Sequence, residues 1–321
     1  MGAACLRSAG GTTEAATPFP EGRYDPLTAR AYFLRRPWEA AARAWEIVAY
    51  ALELFLSVWL DQLLGRVAEC EEQRAREAVQ VIAKLGPTFV KIGQSLSVRG
   101  DLLPAAYIEQ LTTLQDRVPF FDDAEAKKII AEELGAASLS EVFSSISPQP
   151  VAAASLGQVY RATLREGGRE VAVKVQRPSA ARLIACDLFL LRLVAAPLLA
   201  RLELFAGVLS MEALIDELGA RFVDELDYSL EAGHAEEFNA AMAAQGLDMV
   251  FAAAPVRAAC SRRVLTCEWI DGVSLAAAGR AYIHTYTHAY IHTYMHTYIH
   301  IYICTYLHTY RHVVIITHIH A

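Results

Sequence analysis

The sequence lacks paired cysteines, an excess of basic residues and a long uninterrupted apolar run. Its six cysteines are scattered, with no C-x-x-C pair among Cys5, Cys70, Cys186, Cys260, Cys267 and Cys304. This spacing argues against a disulfide framework and against a cysteine zinc site, since both need cysteines at short, regular intervals. We therefore expect the protein in a reducing compartment.

Acidic residues outnumber basic ones, with 36 Asp and Glu against 29 Lys and Arg and a net charge of −7. The isoelectric point is about 5.8. General nucleic-acid binding needs a surplus of Lys and Arg to neutralise phosphates. We therefore expect no nucleic-acid partner.

Two stretches, 45–64 and 188–209, are rich in apolar residues, but charged residues interrupt both. Glu46, Glu53 and Asp61 lie in the first stretch, and each would be costly at the centre of a bilayer. The pattern predicts buried or interfacial amphipathic helices rather than membrane spans. A lipid or membrane surface therefore stays open as a partner.

The N-terminal segment, 1–23, is rich in Ala, Gly, Ser and Thr and contains Arg7. This composition fits a transit peptide or its remnant, and it fits a disordered terminus equally well. Composition does not separate the two interpretations.

Changes in periodicity divide the rest of the chain. Apolar residues recur at helical spacing over 24–135, with Pro87, Pro104 and Pro119 between helices. Residues 136–279 contain a period-two hairpin, a second helical region and a further strand at 263–270. Gly167 and Gly168 supply the hairpin turn, because glycine accepts positive φ. The order of elements predicts an α+β fold with antiparallel strands.

The tail, 280–321, is a Tyr, His, Ile and Thr repeat with a four-residue period. When a four-nucleotide DNA repeat is translated, twelve nucleotides hold three copies of the unit and four codons, so the protein sequence repeats every four residues. The tail therefore resembles translated microsatellite DNA. Histidines four residues apart can also share a helix face and chelate a transition metal. We favour the first interpretation, because β-branched and aromatic residues form poor isolated helices, and we expect no functional metal site.

The hairpin, 150–178, combines a turn of small residues with a lysine in VAVK. A nucleotide site on a hairpin needs backbone amides near the phosphates and a strand lysine beneath them. Gly157 and the AAAS run, Ala152, Ala153, Ala154 and Ser155, could form the turn, and Lys174 is the lysine. Ala172 shares its face and leaves room for an adenine ring.

A following helix must supply an acidic partner for Lys174. ELDYSLEA, at 225–232, offers Glu231 together with Glu225 and Asp227. Acidic residues on a helix are usually a solvated face. Neither the hairpin nor this helix decides the function alone.

Four motifs occur together in one order: KIGQ at 91–94, AAAS at 152–155, VAVK at 171–174 and ELDYSLEA. This combination resembles the UbiB family of atypical protein-kinase-like proteins, also described as aarF-domain-containing kinases. The resemblance covers about 24–275. YDP at 24–26 and RRPWEAAAR at 35–43 are most similar to the cyanobacterial and plastid branch.

The resemblance implies a kinase-like small lobe preceded by a helical extension. Lys174 would engage the phosphates of ATP or ADP with Glu231 as its helical partner, and the hinge, Glu268 to Ile270, would meet the adenine edge. Lys91, Gly93 and Gln94 would lie in an extension folded over the site, with Glu225 and Asp227 facing Lys91. AAAS replaces a glycine-rich loop, which should change nucleotide preference.

The sequence departs from the family after the hinge. Phosphoryl transfer needs an acceptor-orienting Asp and an Asn and Asp that hold magnesium, all from a large lobe. None of these residues is recognisable, so we expect the large lobe to be absent by truncation. We therefore expect no catalytic residue for phosphoryl transfer in this chain. Magnesium is expected only where a large lobe is present.

The resulting hypotheses differ in class. The first is a UbiB-type protein that uses ATP or ADP in prenylquinone or isoprenoid-lipid metabolism, in the chloroplast rather than the mitochondrion. The second is a non-catalytic nucleotide-binding or lipid-surface module. The third, ranked last, is a protein with a His-rich metal-binding tail.

Overall fold

The computed structural model describes residues 17–19, 22–97, 99–115, 120–201, 211–247 and 250–272. The repeat tail and most of the predicted N-terminal segment lie outside this part of the chain. Within it, helices, a hairpin, helices and a strand follow one another in the predicted order, and the α+β class is confirmed. The domain boundaries themselves stay predictions.

The helical region before the sheet is divided at Pro87 and Pro104, as predicted, and Pro119 lies outside the described residues. Asp25 caps the first helix by accepting a 2.9 Å hydrogen bond from the N–H of Leu27. Proline occupies the first turn of three helices, where its missing N–H costs nothing. The helices are α1 (Pro26–Leu34), α2 (Pro37–Leu63), α3 (Val67–Leu85), α4 (Pro87–Leu96), α5 (Ala105–Thr112) and α6 (Asp123–Glu133). A 3₁₀ turn, Thr113–Gln115, follows α5.

One antiparallel sheet follows, preceded by the single-turn helix α7 (Leu139–Val142). Gly167 and Gly168 have φ of 76° and 61°, which confirms the predicted turn between the two central strands. The strands lie in the order β1-β3-β4-β5, with β2 also paired to β3. Their bounds are β1 (Phe143–Ile146), β2 (Ala152–Ala153), β3 (Gly157–Leu164), β4 (Glu170–Gln176) and β5 (Val264–Glu268).

The remaining helices lie between β4 and β5 in the sequence. A five-residue π-helical segment, Leu191–Ala195, joins α8 to α9. A 3₁₀ turn, Arg257–Ala259, precedes β5. The helices are α8 (Ala180–Leu190), α9 (Ala196–Arg201), α10 (Met211–Asp224) and α11 (Tyr228–Ala244).

The sheet buries one face against α6, and β4 shows why. Val171, Val173 and Val175 are 1%, 0% and 0% exposed and pack with Ile130 of α6. Complete burial of a valine or isoleucine contributes about 1.5–3 kcal/mol. The alternate residues of β4 are thereby presented on the opposite face.

A buried ion pair ties α2 to α8. The guanidinium of Arg43 donates to the carboxylate of Asp187 at 2.7 Å and 3.1 Å, and it also donates to the carbonyl of Leu85. Burial raises the pKa of Asp187 although Arg43 opposes that effect. Asp187 belongs to α8, and its pair with Arg43 anchors the helical region.

No helix in the described ranges is both long enough and apolar enough to cross a membrane.

Candidate functional site

Lys174 and Glu231 form the centre of the candidate site. The Lys174 ammonium, on β4, donates to both carboxylate oxygens of Glu231, on α11, at 2.8 Å and 2.6 Å. Both side chains are largely buried. Burial by itself would lower the pKa of Lys174, but the charge of Glu231 and its hydrogen bond outweigh burial and raise that pKa. Lys174 therefore stays protonated over the physiological range.

Tyr228 lies beneath the lysine. The Lys174 ammonium is 4.4 Å from the centroid of the Tyr228 ring, a cation–π distance. The Tyr228 hydroxyl is buried and has no hydrogen-bond partner among the described residues. Burial raises the pKa of Tyr228 to about 12. Tyr228 was not among the predicted site residues, although it lies inside the ELDYSLEA motif.

Gly157 permits the close approach of β3, β4 and Tyr228. A Cβ at this position would lie 2.4 Å from the Val175 carbonyl oxygen and 2.7 Å from the Tyr228 hydroxyl. No real side chain fits at such distances. A glycine beside a run of small residues was the only signal available in the sequence.

The small-residue turn is shorter than predicted. Ala152 and Ala153 form β2 and pair with Val159 and Gln158, so they belong to the sheet. The turn is confined to 154–156, where the N–H of Ala154 donates to the Gly157 carbonyl at 2.8 Å. Ser155 lies in this turn and is buried. The prediction that all four AAAS residues form the turn was wrong for Ala152 and Ala153, because these two residues pair with β3.

Ala172 lies on β4, and the predicted hinge begins at Glu268, the last residue of the neighbouring strand β5. Ala172 is opposite Cys267 of β5 and two residues from Lys174. The backbone N–H groups of Glu268 and Trp269 donate to Ala254 and Glu170 at 2.9 Å and 3.1 Å. Of the hinge donors, Ile270 is therefore better placed than these two to serve a ligand.

KIGQ lies on α4, but its residues point to different neighbours. Lys91 forms an ion pair with Glu225, in which both side chains are largely buried. The Gln94 amide donates to the Leu114 carbonyl at 3.2 Å. A Cβ at Gly93 would lie 2.9 Å from a methyl carbon of Leu114, so glycine allows that packing. Among the three, Lys91 is the residue that reaches the turn between α10 and α11.

Glu225 and Asp227 have separate roles, and the expectation that both face Lys91 was wrong for Asp227. The Asp227 carboxylate caps α11 by accepting from the N–H of Ser229 at 2.9 Å. It also lies 3.8 Å from the Arg262 guanidinium. The helix needs a cap at its first residue, and Asp is favoured there. Glu225 pairs with Lys91, and its charge contributes to the raised pKa of Lys174.

Gln176 fixes the strand to the turn before α11. Its amide donates to the Leu226 carbonyl at 2.8 Å, and its side chain is 4% exposed. Strand alternation would place Gln176 on the open face with Lys174, but Gln176 is buried. The amide tolerates this burial because the Leu226 carbonyl supplies the partner that a buried amide needs.

Within the described ranges, no three His, Cys, Asp or Glu side chains gather where they could hold a metal ion.

Comparisons with known proteins identify relatives of this chain by sequence. The profile of the ABC1 atypical kinase-like domain matches residues 113–312. The chain is 41% identical over 242 residues to Protein ACTIVITY OF BC1 COMPLEX KINASE 3, chloroplastic, of Arabidopsis thaliana, covering 75% of this chain and 33% of that protein. It is 40% identical over 260 residues to the Synechocystis protein slr1919, covering 79% of this chain and 44% of that protein.

A solved structure, the complex of Rv3197 with erythromycin from Mycobacterium tuberculosis, is 32% identical and has a TM-score of 0.42. The match covers 67% of this chain and 52% of that chain. The chain spans 33% to 44% of the length of the two curated relatives above.

Proposed function

Because the chain belongs to the ABC1 atypical kinase-like family, we propose that it binds an adenine nucleotide, ATP or ADP, beside the open face of the sheet. The observation that carries the proposal is the paired contact of Lys174 with Glu231. A strand lysine held by a helical glutamate is the arrangement that kinase-like folds use to engage nucleotide phosphates.

The residues around Lys174 fit the proposed ligand. The ammonium keeps its charge because its pKa is raised, and its third N–H is free of Glu231 to meet a phosphate oxygen. Ala172 and, by strand register, Ala152 lie on the same face of the sheet as Lys174, and both have small side chains. Ile270 would supply the backbone donor to the adenine edge.

Binding, rather than phosphoryl transfer, is the activity we propose for the described residues. Transfer needs an Asp that orients the acceptor, and in the described ranges Lys174 meets only the acids Glu231 and, through charge, Glu225. Two candidate functions are therefore compared: a module that binds nucleotide without transferring phosphate, and a complete kinase. The two differ in whether ATP is consumed.

The wider role we propose is in prenylquinone or isoprenoid-lipid metabolism, in the plastid. The plant relatives named chloroplastic and the cyanobacterial relatives support the plastid. Mitochondrial location is the alternative. Fluorescent tagging of the full chain in plant cells distinguishes the two organelles.

Differential scanning fluorimetry of the full chain with ATP or ADP tests the nucleotide proposal. At a concentration one hundred times Kd, a ligand stabilises the folded state by about 2.7 kcal/mol. We expect the wild type to show this stabilisation and Lys174→Met to lose it. Lys128→Met is the matched control, because Lys128 is 73% exposed and lies on α6.

Retained stabilisation in Lys174→Met would place the nucleotide elsewhere. An unchanged wild-type melting temperature at millimolar nucleotide would refute binding. A phosphate-release assay run in parallel separates the module from the complete kinase.

A further inference from the structure

The outer surface of α2 is strongly apolar. Trp38 and Trp45 are 66% and 75% exposed, and the other six members are between 48% and 63% exposed. We call this surface the α2 apolar face, and its members are Trp38, Trp45, Leu52, Phe55, Leu56, Trp59, Leu60 and Leu63. Together they expose on the order of 1,000 Å², whereas the largest apolar patch of a monomer is usually several hundred.

The members form one continuous stripe. At 100° per residue, they fall within an arc of about 140° along a helix about 40 Å long. The buried residues of α2, Ala40, Arg43 and Asp61, lie on the opposite side. The helix thus presents one side to the protein and an apolar side outward.

Three of the four acidic residues of α2 have an ion-pair partner within the protein. Glu46 pairs with Arg43 at 2.7 Å, and Asp61 pairs with Arg74 at 2.6 Å. Glu39 accepts from Arg182 at 3.1 Å. Glu46 is 45% exposed although it is paired, and Glu53 is exposed at the edge of the apolar face. At 100° per residue both lie outside the arc of the apolar face, which limits their repulsion from an anionic surface.

Basic residues flank the face. Arg35 precedes α2 and is exposed, and Arg66 follows α2 with 49% of its side chain exposed, although its guanidinium lies 3.7 Å from the Asp61 carboxylate. Tryptophan, phenylalanine and leucine with flanking arginines are the composition of helices that lie in a lipid interface. Indole rings also favour the boundary between head groups and acyl chains.

We infer that the α2 apolar face is a lipid-docking surface, on which the protein lies with α2 parallel to the interface of a membrane containing anionic lipid. A second copy of the chain fits less well. Dimeric coiled coils favour Ile or Val at the first core position of each heptad, but here Trp38, Trp45 and Trp59 occupy that position. Three indoles so placed would hold the helices apart.

Vesicle flotation of the full chain tests this inference. The vesicles contain phosphatidylcholine alone or phosphatidylcholine with phosphatidylglycerol. The test variant is Leu52→Gln/Phe55→Gln/Trp59→Gln, since glutamine keeps the helix and these positions are exposed. The control is Leu102→Gln/Phe120→Gln/Leu230→Gln, which removes three side chains exposed by 52%, 57% and 43% from other surfaces.

We expect the wild type and the control to float with mixed vesicles. The test variant should lose about 100-fold in partition coefficient, because each lost side chain forfeits part of its transfer free energy. Equal unfolding midpoints in all three proteins exclude misfolding as the cause. Tryptophan emission provides a second readout, because three of the four tryptophans lie on the face and should shift to the blue.

Three outcomes would overturn the inference. One is wild-type protein that stays at the bottom of the gradient without an emission shift. Another is a dimer, seen by light scattering, that the test variant converts to a monomer without any vesicle binding. The third is a face already covered by another segment of the chain, seen as blue-shifted emission that vesicles do not change. None depends on nucleotide, so failure here leaves the nucleotide proposal intact.

Discussion

Arg43 and Asp187 join two helices 144 residues apart in the chain through hydrogen bonds of 2.7 Å and 3.1 Å. Asp187 is 0% exposed and Arg43 is 7% exposed, so both charges have left water almost entirely. Such a pair contributes little net stability but becomes costly when one member is removed. It fixes where the helical region docks on α8.

Arg43→Met should therefore destabilise the fold by about 3–5 kcal/mol, because Asp187 keeps a buried charge without its partner. Urea denaturation followed by circular dichroism measures the change. Arg43→Met/Asp187→Leu should recover most of the loss. Asp101→Asn, at the exposed pair with Arg99, is the control and should leave the midpoint unchanged. A double variant as unstable as the single one would contradict this account.

Tyr228→Phe should stabilise the protein by about 1 kcal/mol, because it removes a buried hydroxyl that has no partner among the described residues. Tyr160→Phe is the contrasting variant. The Tyr160 hydroxyl donates to Asp123 and accepts from Gln158, both at 2.6 Å, and its loss should destabilise by about 1–3 kcal/mol. Thermal unfolding of both variants decides. A destabilised Tyr228→Phe would reveal a bond to its hydroxyl.

Tyr228→Phe should also change how the free energy of unfolding depends on pH in the alkaline range. The pKa of Tyr228 is raised to about 12 in the folded state, against about 10 in an unfolded chain. Between these values the unfolded state loses a proton that the folded state retains, so the free energy of unfolding falls as pH rises. The fall should be steeper in wild type than in Tyr228→Phe. Parallel curves from pH 9 to 12 would contradict the burial of this phenol.

Glu225→Gln should loosen α4, since Lys91 would lose its charged partner. We expect backbone hydrogen exchange in 87–96 to become roughly five- to tenfold faster. Asp227→Ala should instead loosen the first turn of α11, whereas Asp227→Asn should preserve it, because Asn caps as well as Asp. Faster exchange of α4 in Asp227→Asn would show that Asp227 acts on Lys91 through its charge after all.

Regular features of the fold could be predicted from the sequence. The alternation of Val171, Val173 and Val175 placed β4, and two consecutive glycines placed the hairpin turn, because these patterns are set by local backbone geometry. The extent of β3 could not be predicted. It depends on pairing with Ala152 and Ala153, and alanine carries no strand signal of its own.

The candidate site was only partly predictable for the same reason. The residues alone left Glu231, Glu225 and Asp227 open as partners of Lys174. The family resemblance selected Glu231, and the structure brings Lys174 and Glu231 together. The roles of Tyr228, Asp227 and Gln176 depend on which turn of α11 faces the sheet, and that is fixed by tertiary packing. The partner of Arg43 is likewise remote in sequence, so no local pattern could reveal it.

The cap at Asp227 also sets the rotational phase of α11. Tyr228 and Glu231 occupy its first turn, three residues apart, and reach the same ammonium from one side of the helix. Each residue advances a helix by about 100°. One amino acid inserted between Asp227 and Glu231 would therefore swing the carboxylate away from Lys174 without changing any residue of the site. In this protein, the spacing of that short segment matters as much as its chemistry.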